Sequence, residues 1–164
     1  MTAVYVAAGS NVEPIGNLRR ALGVLAAHYP GLRVSRAWRN RAVGFEGDDF
    51  VNLAVGFETG DDVRAVLGRL HEAEAACGRA RNAPKWAPRS MDLDILLYGD
   101  MVCDEPGLVL PRPDLTRRAY MLGPMAELAP DLVHPLERAT MAELWSRFDR
   151  DAHPMETVDL GWTP

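Results

Sequence analysis

The segment C-G-R-A-R-N-A-P-K-W-A-P-R-S-M-D-L-D-I-L-L-Y, from Cys77 to Tyr98, decides how this chain is organised. Its last part is a short apolar run that stops at Gly99, which predicts a largely buried β-strand. Side chains alternate along a strand, so Asp92 and Asp94 share one face, roughly 6.5–7 Å apart along it. The alternate residues are expected to point into a core: Leu93, Ile95 and Leu97.

Two carboxylates this close repel each other unless a cation lies between them. Their oxygens suit Mg²⁺, which is typically held by one or two carboxylates together with water and substrate phosphates. Cations upstream suit the same phosphates, because guanidinium groups bind phosphate oxygens in pairs. A metal and phosphate site is one interpretation, and a solvated basic loop beside a surface aspartate pair is the other. The upstream cations are Arg79, Arg81, Lys85 and Arg89.

Length and composition describe an ordinary globular chain. Its 164 residues, 48% apolar and 25% charged, predict a single domain over 1–164, with an irregular tail over 149–164 that includes a possible edge strand. A net charge of −5 disfavours nucleic acid as a partner. Two cysteines without metal-ligand spacing indicate a reducing compartment. We expect a cytoplasmic protein, because we find neither a signal peptide nor a membrane-spanning run. Its single core and modest size suit a monomer.

The apolar periodicities predict the order β-α-β-β-α-β followed by added helices. This order is typical of the α+β ferredoxin-like, split βαβ fold. An antiparallel sheet with helices on one face is the expected architecture. The predicted strands are Val4–Ala8, Leu32–Asn40, Phe50–Glu58 and Asp92–Tyr98, and the added helices are Thr116–Ala129 and a final one from Met141 to Phe148.

Three polar features outside the quoted segment have more than one interpretation. Phe50 and Asn52 share the strand face opposite the core, where they would contact a flat heterocycle or simply meet solvent. Glu74 lies at the edge of a helical apolar stripe, in the last turn, where a carboxylate is unfavourable. It either pairs with a nearby arginine or meets a ligand. His134 and His153 are isolated, and we expect ordinary satisfied or surface histidines.

Several motifs point to the same family. The most specific block is W-A-P-R-S-M-D-L-D-I, from Trp86 to Ile95. The other motifs are Gly9-Ser10-Asn11, Val43-Gly44, Phe50-Val51-Asn52, Glu74, Gly78-Arg79-Ala80-Arg81, Pro111 with Pro113, Arg118-Ala119-Tyr120 and Glu127-Leu128-Ala129-Pro130. In these motifs, from about Val4 to Pro135, the chain resembles the 6-hydroxymethyl-7,8-dihydropterin pyrophosphokinases of folate biosynthesis. Members of that family transfer the two terminal phosphates of ATP as one unit to the pterin hydroxymethyl oxygen and leave AMP.

The resemblance implies a role for each matching residue. Asp92 and Asp94 would hold two Mg²⁺ ions that bridge the triphosphate and the attacking hydroxyl, and ATP would be the co-substrate. Together with these aspartates, the catalytic set would comprise Arg79, Arg81 and Arg89. The implied ATP contacts are Glu74, Arg81, Trp86, Arg89, Ile95, Arg112 and Arg118, and the implied pterin contacts are Asn40, Val43, Phe50, Asn52 and Tyr120.

Two positions depart from the family pattern. Arg112 stands between Pro111 and Pro113 where the family usually has histidine, and the 40–49 loop lacks its usual prolines. The altered loop leaves a second interpretation open, a nucleotide- or pterin-binding paralogue with weak or altered activity. A metal-dependent nuclease or nucleotidyltransferase is a third, which the acidic charge disfavours and which gives Phe50 and Asn52 no role.

Overall fold

The computed structural model describes residues 1–40, 49–78 and 91–163. The strands and helices follow the predicted order through the first two thirds of the chain. None of the helices in these ranges combines the length and the apolar character that crossing a membrane requires. The elements are β1 (Thr2–Ser10), α1 (Pro14–His28), β2 (Arg33–Val34), β3 (Ala37–Asn40), β4 (Phe50–Thr59), α2 (Val63–Ala76), β5 (Asp92–Tyr98), β6 (Cys103–Glu105), β7 (Leu108–Leu110), a 3₁₀ helix (Pro113–Thr116), α3 (Ala119–Leu128), α4 (Met141–Arg147) and β8 (Glu156–Val158).

Within the described ranges, six strands form one antiparallel sheet in the order β5-β1-β4-β3-β8, with β2 also paired to β4. The first and last strands of the split βαβ unit therefore lie side by side, as the ferredoxin-like fold requires. This confirms the predicted fold class. In the tail, β8 adds an edge strand slightly before the predicted position, and β6 and β7 form a separate two-stranded ribbon.

Helices α1 and α2 cover one face of the sheet. The alternation along β4 places Val51, Leu53, Val55 and Phe57 on this face, and all four are at most 1% exposed. Tyr29, just after α1, stacks on Phe57 with ring centroids 4.0 Å apart. The predicted core face of this strand is confirmed.

The prediction that helices lie on only one face is wrong, because α3 packs on the other face, mainly against β4. This helix is continuous through Pro124. It begins at Ala119 rather than near Thr116, because a separate 3₁₀ helix precedes it. Gly123 allows α4 to pack closely against α3, because a Cβ at this position would lie 3.1 Å from the Trp145 ring.

Two strands contain an extra residue that shifts their register. The predicted strand over 32–40 is split into β2 and β3, because Ser35 and Arg36 interrupt its pairing with β4. In β5 the register with β1 shifts between Ile95 and Leu97. Leu97 consequently belongs to the core cluster on the α3 face, whereas Leu93 and Ile95 lie in the cluster under α1 and α2. The prediction that all three share a face is wrong for Leu97.

Candidate active site

The two aspartates lie at the start of β5, which is the outermost strand on one side of the sheet in the described ranges. Asp92 pairs with Gly9 and Asp94 pairs with Ala7 on β1, and both carboxylates are on the face that α3 covers farther along. This end of β5 precedes the register shift, so strict alternation holds there and the two acids share a face as predicted.

A cavity of about 210 Å³ joins these carboxylates to the aromatic and amide side chains of the neighbouring strands. Small residues of β1 form its floor, while the segment after β7 and the start of α3 form its opposite wall. The lining residues are Ala7, Ala8, Gly9, Asn40, Phe50, Asn52, Asp92, Asp94, Arg112, Asp114, Tyr120 and Met121.

An amide pair forms one end of the cavity. Asn52 is 7% exposed, and its Nδ2 donates to Asn40 Oδ1 at 2.5 Å. Gly9 lies directly beside this pair, and a Cβ at Gly9 would overlap Asn52 Oδ1. The absence of a side chain at Gly9 therefore allows the Asn52 side chain to lie across the backbone of β1. This close approach sets the position of the Asn52 amide in the cavity.

Tyr120 also lines the cavity, on the first turn of α3. Burial raises the pKa of its hydroxyl, with Arg118 and Arg112 opposing this change and Asp114 and Asp94 adding to it. The hydroxyl therefore stays protonated at neutral pH and can donate a hydrogen bond. Three of these charged groups also line the cavity: Asp94, Arg112 and Asp114.

Arg112 lies beside the carboxylates. Its backbone N–H donates to Leu96 O at 3.0 Å, and its Nη1 is 3.5 Å from Asp94 Oδ1. Its Nε is buried and has no hydrogen-bond partner among the described residues. A cation already lies next to the aspartate pair, as the repulsion between two close carboxylates requires.

The carboxylates fit a hard divalent cation. Within the described ranges no cluster of three or more histidine, cysteine or acidic side chains has the geometry of a metal site. Asp92 and Asp94 would therefore need water and phosphate oxygens to complete the ligands. In nucleotide-binding sites, Mg²⁺ is usually held in this way, by one or two carboxylates together with water and phosphate oxygens.

Three predicted ATP contacts lie outside the cavity lining. Glu74 is 7% exposed, and its Oε2 accepts a hydrogen bond from the Leu93 N–H at 3.1 Å, so this α2 carboxylate binds the start of β5. Ile95 is 3% exposed and belongs to the core under α1 and α2, which leaves its backbone as the available contact. Arg118 is exposed and precedes α3, close enough to influence Tyr120.

Two residues that line the cavity were not predicted from the sequence, and some predicted site residues lie outside the described ranges. Asp114 and Met121 line the cavity but carried no recognisable signal, because one follows a proline-rich segment and the other belongs to an apolar helix.

His134 is the satisfied histidine expected, since its Nδ1 accepts from the Leu136 and Glu137 N–H groups. The predicted site residues outside the described ranges are Val43, Arg79, Arg81, Trp86 and Arg89.

Comparison with solved structures supports the fold. Chains of Plasmodium falciparum HPPK-DHPS, as wild type and as wild type with SDX-DHP, superpose on 89% of this chain with TM-scores of 0.70. Sequence identity is only 12% and 13%, so the likeness concerns the fold alone, and this chain spans 44% of the length of each.

Comparison of sequences identifies the family. The model of 7,8-dihydro-6-hydroxymethylpterin-pyrophosphokinase (HPPK) matches residues 5–130. The chain is 34% identical over 148 residues to the 2-amino-4-hydroxy-6-hydroxymethyldihydropteridine pyrophosphokinase of Synechocystis sp., covering 88% of this chain and 75% of that protein. It is 41% identical over 139 residues to the protein of that name from Methylorubrum extorquens, covering 81% and 86%. This chain belongs to the 7,8-dihydro-6-hydroxymethylpterin-pyrophosphokinase family.

Proposed function

We propose that the 210 Å³ cavity is where this pyrophosphokinase brings its two substrates together. The enzyme transfers pyrophosphate from ATP to the hydroxymethyl group of 6-hydroxymethyl-7,8-dihydropterin and releases AMP. The observation that carries the assignment is that a single cavity contains both the aspartate pair and the aromatic-amide cluster.

The amide end binds the pterin in this proposal. Asn52 and Asn40 meet the polar edge of the ring, because paired carboxamides offer donors and acceptors in one plane. Phe50 and Tyr120 contact the ring faces, where aromatic side chains contribute most. The Tyr120 hydroxyl, whose pKa burial raises further from its ordinary value, is neutral near pH 7 and lies beside an uncharged heterocycle. Val43, which lies outside the described ranges, remains a proposed pterin contact.

The carboxylate end binds the triphosphate. Asp92 and Asp94 would hold Mg²⁺, which supplies charge neutralisation for the attacking and leaving oxygens. Arg112 contacts phosphate from the cavity wall. Transfer of this kind depends mostly on positioning and electrostatics, so these residues need to orient the groups and not to form a covalent intermediate. The remaining predicted phosphate contacts are Arg79, Arg81 and Arg89, with Trp86 excluding water beside them.

Glu74 supports the carboxylate end from behind. Because its Oε2 accepts from the Leu93 N–H, it fixes the backbone between the two aspartates. We infer that this contact contributes to their spacing, and Glu74 is also a proposed ATP contact. Arg118 and the Ile95 backbone remain proposed ATP contacts. We further propose that the enzyme acts as a cytoplasmic monomer on these small molecules, without a nucleic-acid partner.

The assignment is tested by incubating the protein with ATP, Mg²⁺ and 6-hydroxymethyl-7,8-dihydropterin and measuring AMP. AMP should form only when the pterin is present. Asp94→Ala should abolish it, whereas Asp104→Ala, an exposed aspartate on β6, should leave the rate unchanged. Phe50→Ala should raise the pterin KM by about 5- to 150-fold, because stacking on an aromatic side chain contributes roughly 1–3 kcal/mol.

Other outcomes would contradict the assignment in different ways. Binding of ATP and pterin without AMP formation would favour a binding paralogue. An active Asp94→Ala variant would show that the aspartate pair does not hold the metal. An unchanged pterin KM in Phe50→Ala would place the pterin outside the cavity.

A further inference from the structure

Arg112 is held beside the aspartate pair by its backbone. Its N–H donates to Leu96 O at 3.0 Å, which binds the segment after β7 to the middle of β5. The flanking residues Pro111 and Pro113 restrict the backbone on both sides. The guanidinium therefore reaches the cavity from a constrained position, and its movement is confined to its side-chain torsions.

The contact with Asp94 is loose. Nη1 lies 3.5 Å from Asp94 Oδ1, longer than the roughly 2.7–2.9 Å of a charge-assisted hydrogen bond. The two side chains are 35% and 34% exposed, and ion pairs with this exposure are weak. Arg112 thus offsets part of the charge of the Asp94 carboxylate through a weak ion pair.

The same guanidinium has an unmet hydrogen bond. Its Nε is buried and lacks an acceptor among the described residues, whereas buried donors in folded proteins are nearly always paired. A phosphate oxygen in the adjoining cavity would provide that acceptor, since guanidinium groups bind phosphate through two donors at once. Arg112 therefore has a weak partner in Asp94 and a donor that suits an anionic ligand.

Building on the proposed function, we propose that Arg112 is an exchangeable counter-ion of the metal site. It offsets the charge of Asp94 when a divalent cation is absent, and its guanidinium passes to the phosphate oxygens when the nucleotide enters. Before the nucleotide arrives, Arg112 competes with a divalent cation for Asp94. The site consequently takes up its cation together with ATP in preference to the cation alone.

Binding of Mn²⁺ alone, followed by the electron paramagnetic resonance of the free ion, tests this competition without turnover. Arg112→Gln should bind Mn²⁺ about two- to fivefold more tightly than the unaltered enzyme, the range for a partly exposed ion pair. The same variant should bind a magnesium-loaded, non-hydrolysable ATP analogue at least about tenfold more weakly. Arg112→Lys keeps the charge, so its Mn²⁺ affinity should stay near that of the unaltered enzyme.

A control and a double variant isolate the contact. Arg147→Gln removes one positive charge from α4, where Arg147 pairs with Glu143, and should leave Mn²⁺ binding unchanged. In an Asp94→Asn background, Arg112→Gln should no longer tighten Mn²⁺ binding, because the Asp94 carboxylate with which Arg112 pairs is absent. Thermal unfolding of each variant confirms that it is folded.

The results separate this inference from the proposed function. If Asp94→Asn weakens Mn²⁺ binding but Arg112→Gln does not tighten it, the counter-ion role is refuted and the metal site stands. If Asp94→Asn leaves Mn²⁺ binding unchanged, the metal site and the counter-ion role are both refuted. Equal tightening in Arg112→Gln and Arg147→Gln would show a general effect of charge, which also refutes the exchange.

Discussion

Replacing Gly9 with alanine should impair pterin binding more than it impairs folding. A Cβ at Gly9 would overlap Asn52 Oδ1, so the Asn52 amide must move away from its present position. The atom that it meets belongs to a side chain and not to the backbone, so the strands themselves can stay paired. The displaced amide loses its alignment with Asn40, to which it now donates at 2.5 Å.

These contacts give the expected size of the loss of folding stability and of the loss of pterin affinity. One neutral hydrogen bond contributes about 0.5–1.5 kcal/mol, and crowding a packed site costs about 1–3 kcal/mol. Because the Asn52 side chain can yield, we expect Gly9→Ala to lower the free energy of unfolding by about 1–2 kcal/mol. A pterin edge left without its partner should cost about 1–3 kcal/mol in binding, which corresponds to a roughly 5- to 150-fold weaker Kd.

Urea unfolding and calorimetric titration with the pterin measure the two quantities separately. Gly23→Ala is the matched control, since Gly23 is exposed on α1 and a Cβ there meets nothing within 4 Å. That variant should gain roughly 0.5–1 kcal/mol of stability from helix propensity and bind the pterin normally. Unchanged pterin affinity in Gly9→Ala would refute the placement of the ring edge against Asn52.

Two further predictions concern buried ionisable groups. Glu74→Gln removes a charge from the hydrogen bond to the Leu93 N–H, so the free energy of unfolding should fall by about 1–2 kcal/mol in a urea titration; an equally stable variant would contradict a supporting role for Glu74. Burial lowers the pKa of His134, so the unfolded chain takes up its proton more readily and stability is lost as the pH falls below about 6.5. Exchanging this histidine for asparagine should flatten the dependence of the unfolding free energy on pH between about 5 and 7, and an unchanged slope would rule out His134 as its source.

The main layer of the fold follows from the sequence because its strands and helices have clean periodicities. The alternation along β4 correctly separated Leu53 from Asn52, and the spacing along β5 correctly joined Asp92 to Asp94. The register shift in β5 could not be predicted, because Leu96 and Leu97 are both apolar and either can face a core. Periodicity detects a bulge only where the two faces differ in polarity.

The second layer was harder to predict. Helix α3 is apolar on nearly all sides, so its stripe does not reveal which surface it covers, and Pro124 resembles a helix boundary. The proposed pterin end of the site depends on this helix, which supplies Tyr120 to the cavity. Family resemblance therefore suggested Tyr120 where the residue pattern alone did not. Neither source indicated Asp114, whose place in the cavity depends on the turn after Arg112.

The central claim is that the metal carboxylates and the pterin share one cavity, and paramagnetic relaxation measures this directly. With Mn²⁺, a non-hydrolysable ATP analogue and 6-hydroxymethylpterin bound together, relaxation of the hydroxymethyl protons should increase strongly. Asp94→Asn should remove the increase, and Asp104→Asn should preserve it. Slow relaxation of these protons in the fully bound, unaltered enzyme would show that the two ends of the cavity do not bind the reacting groups side by side.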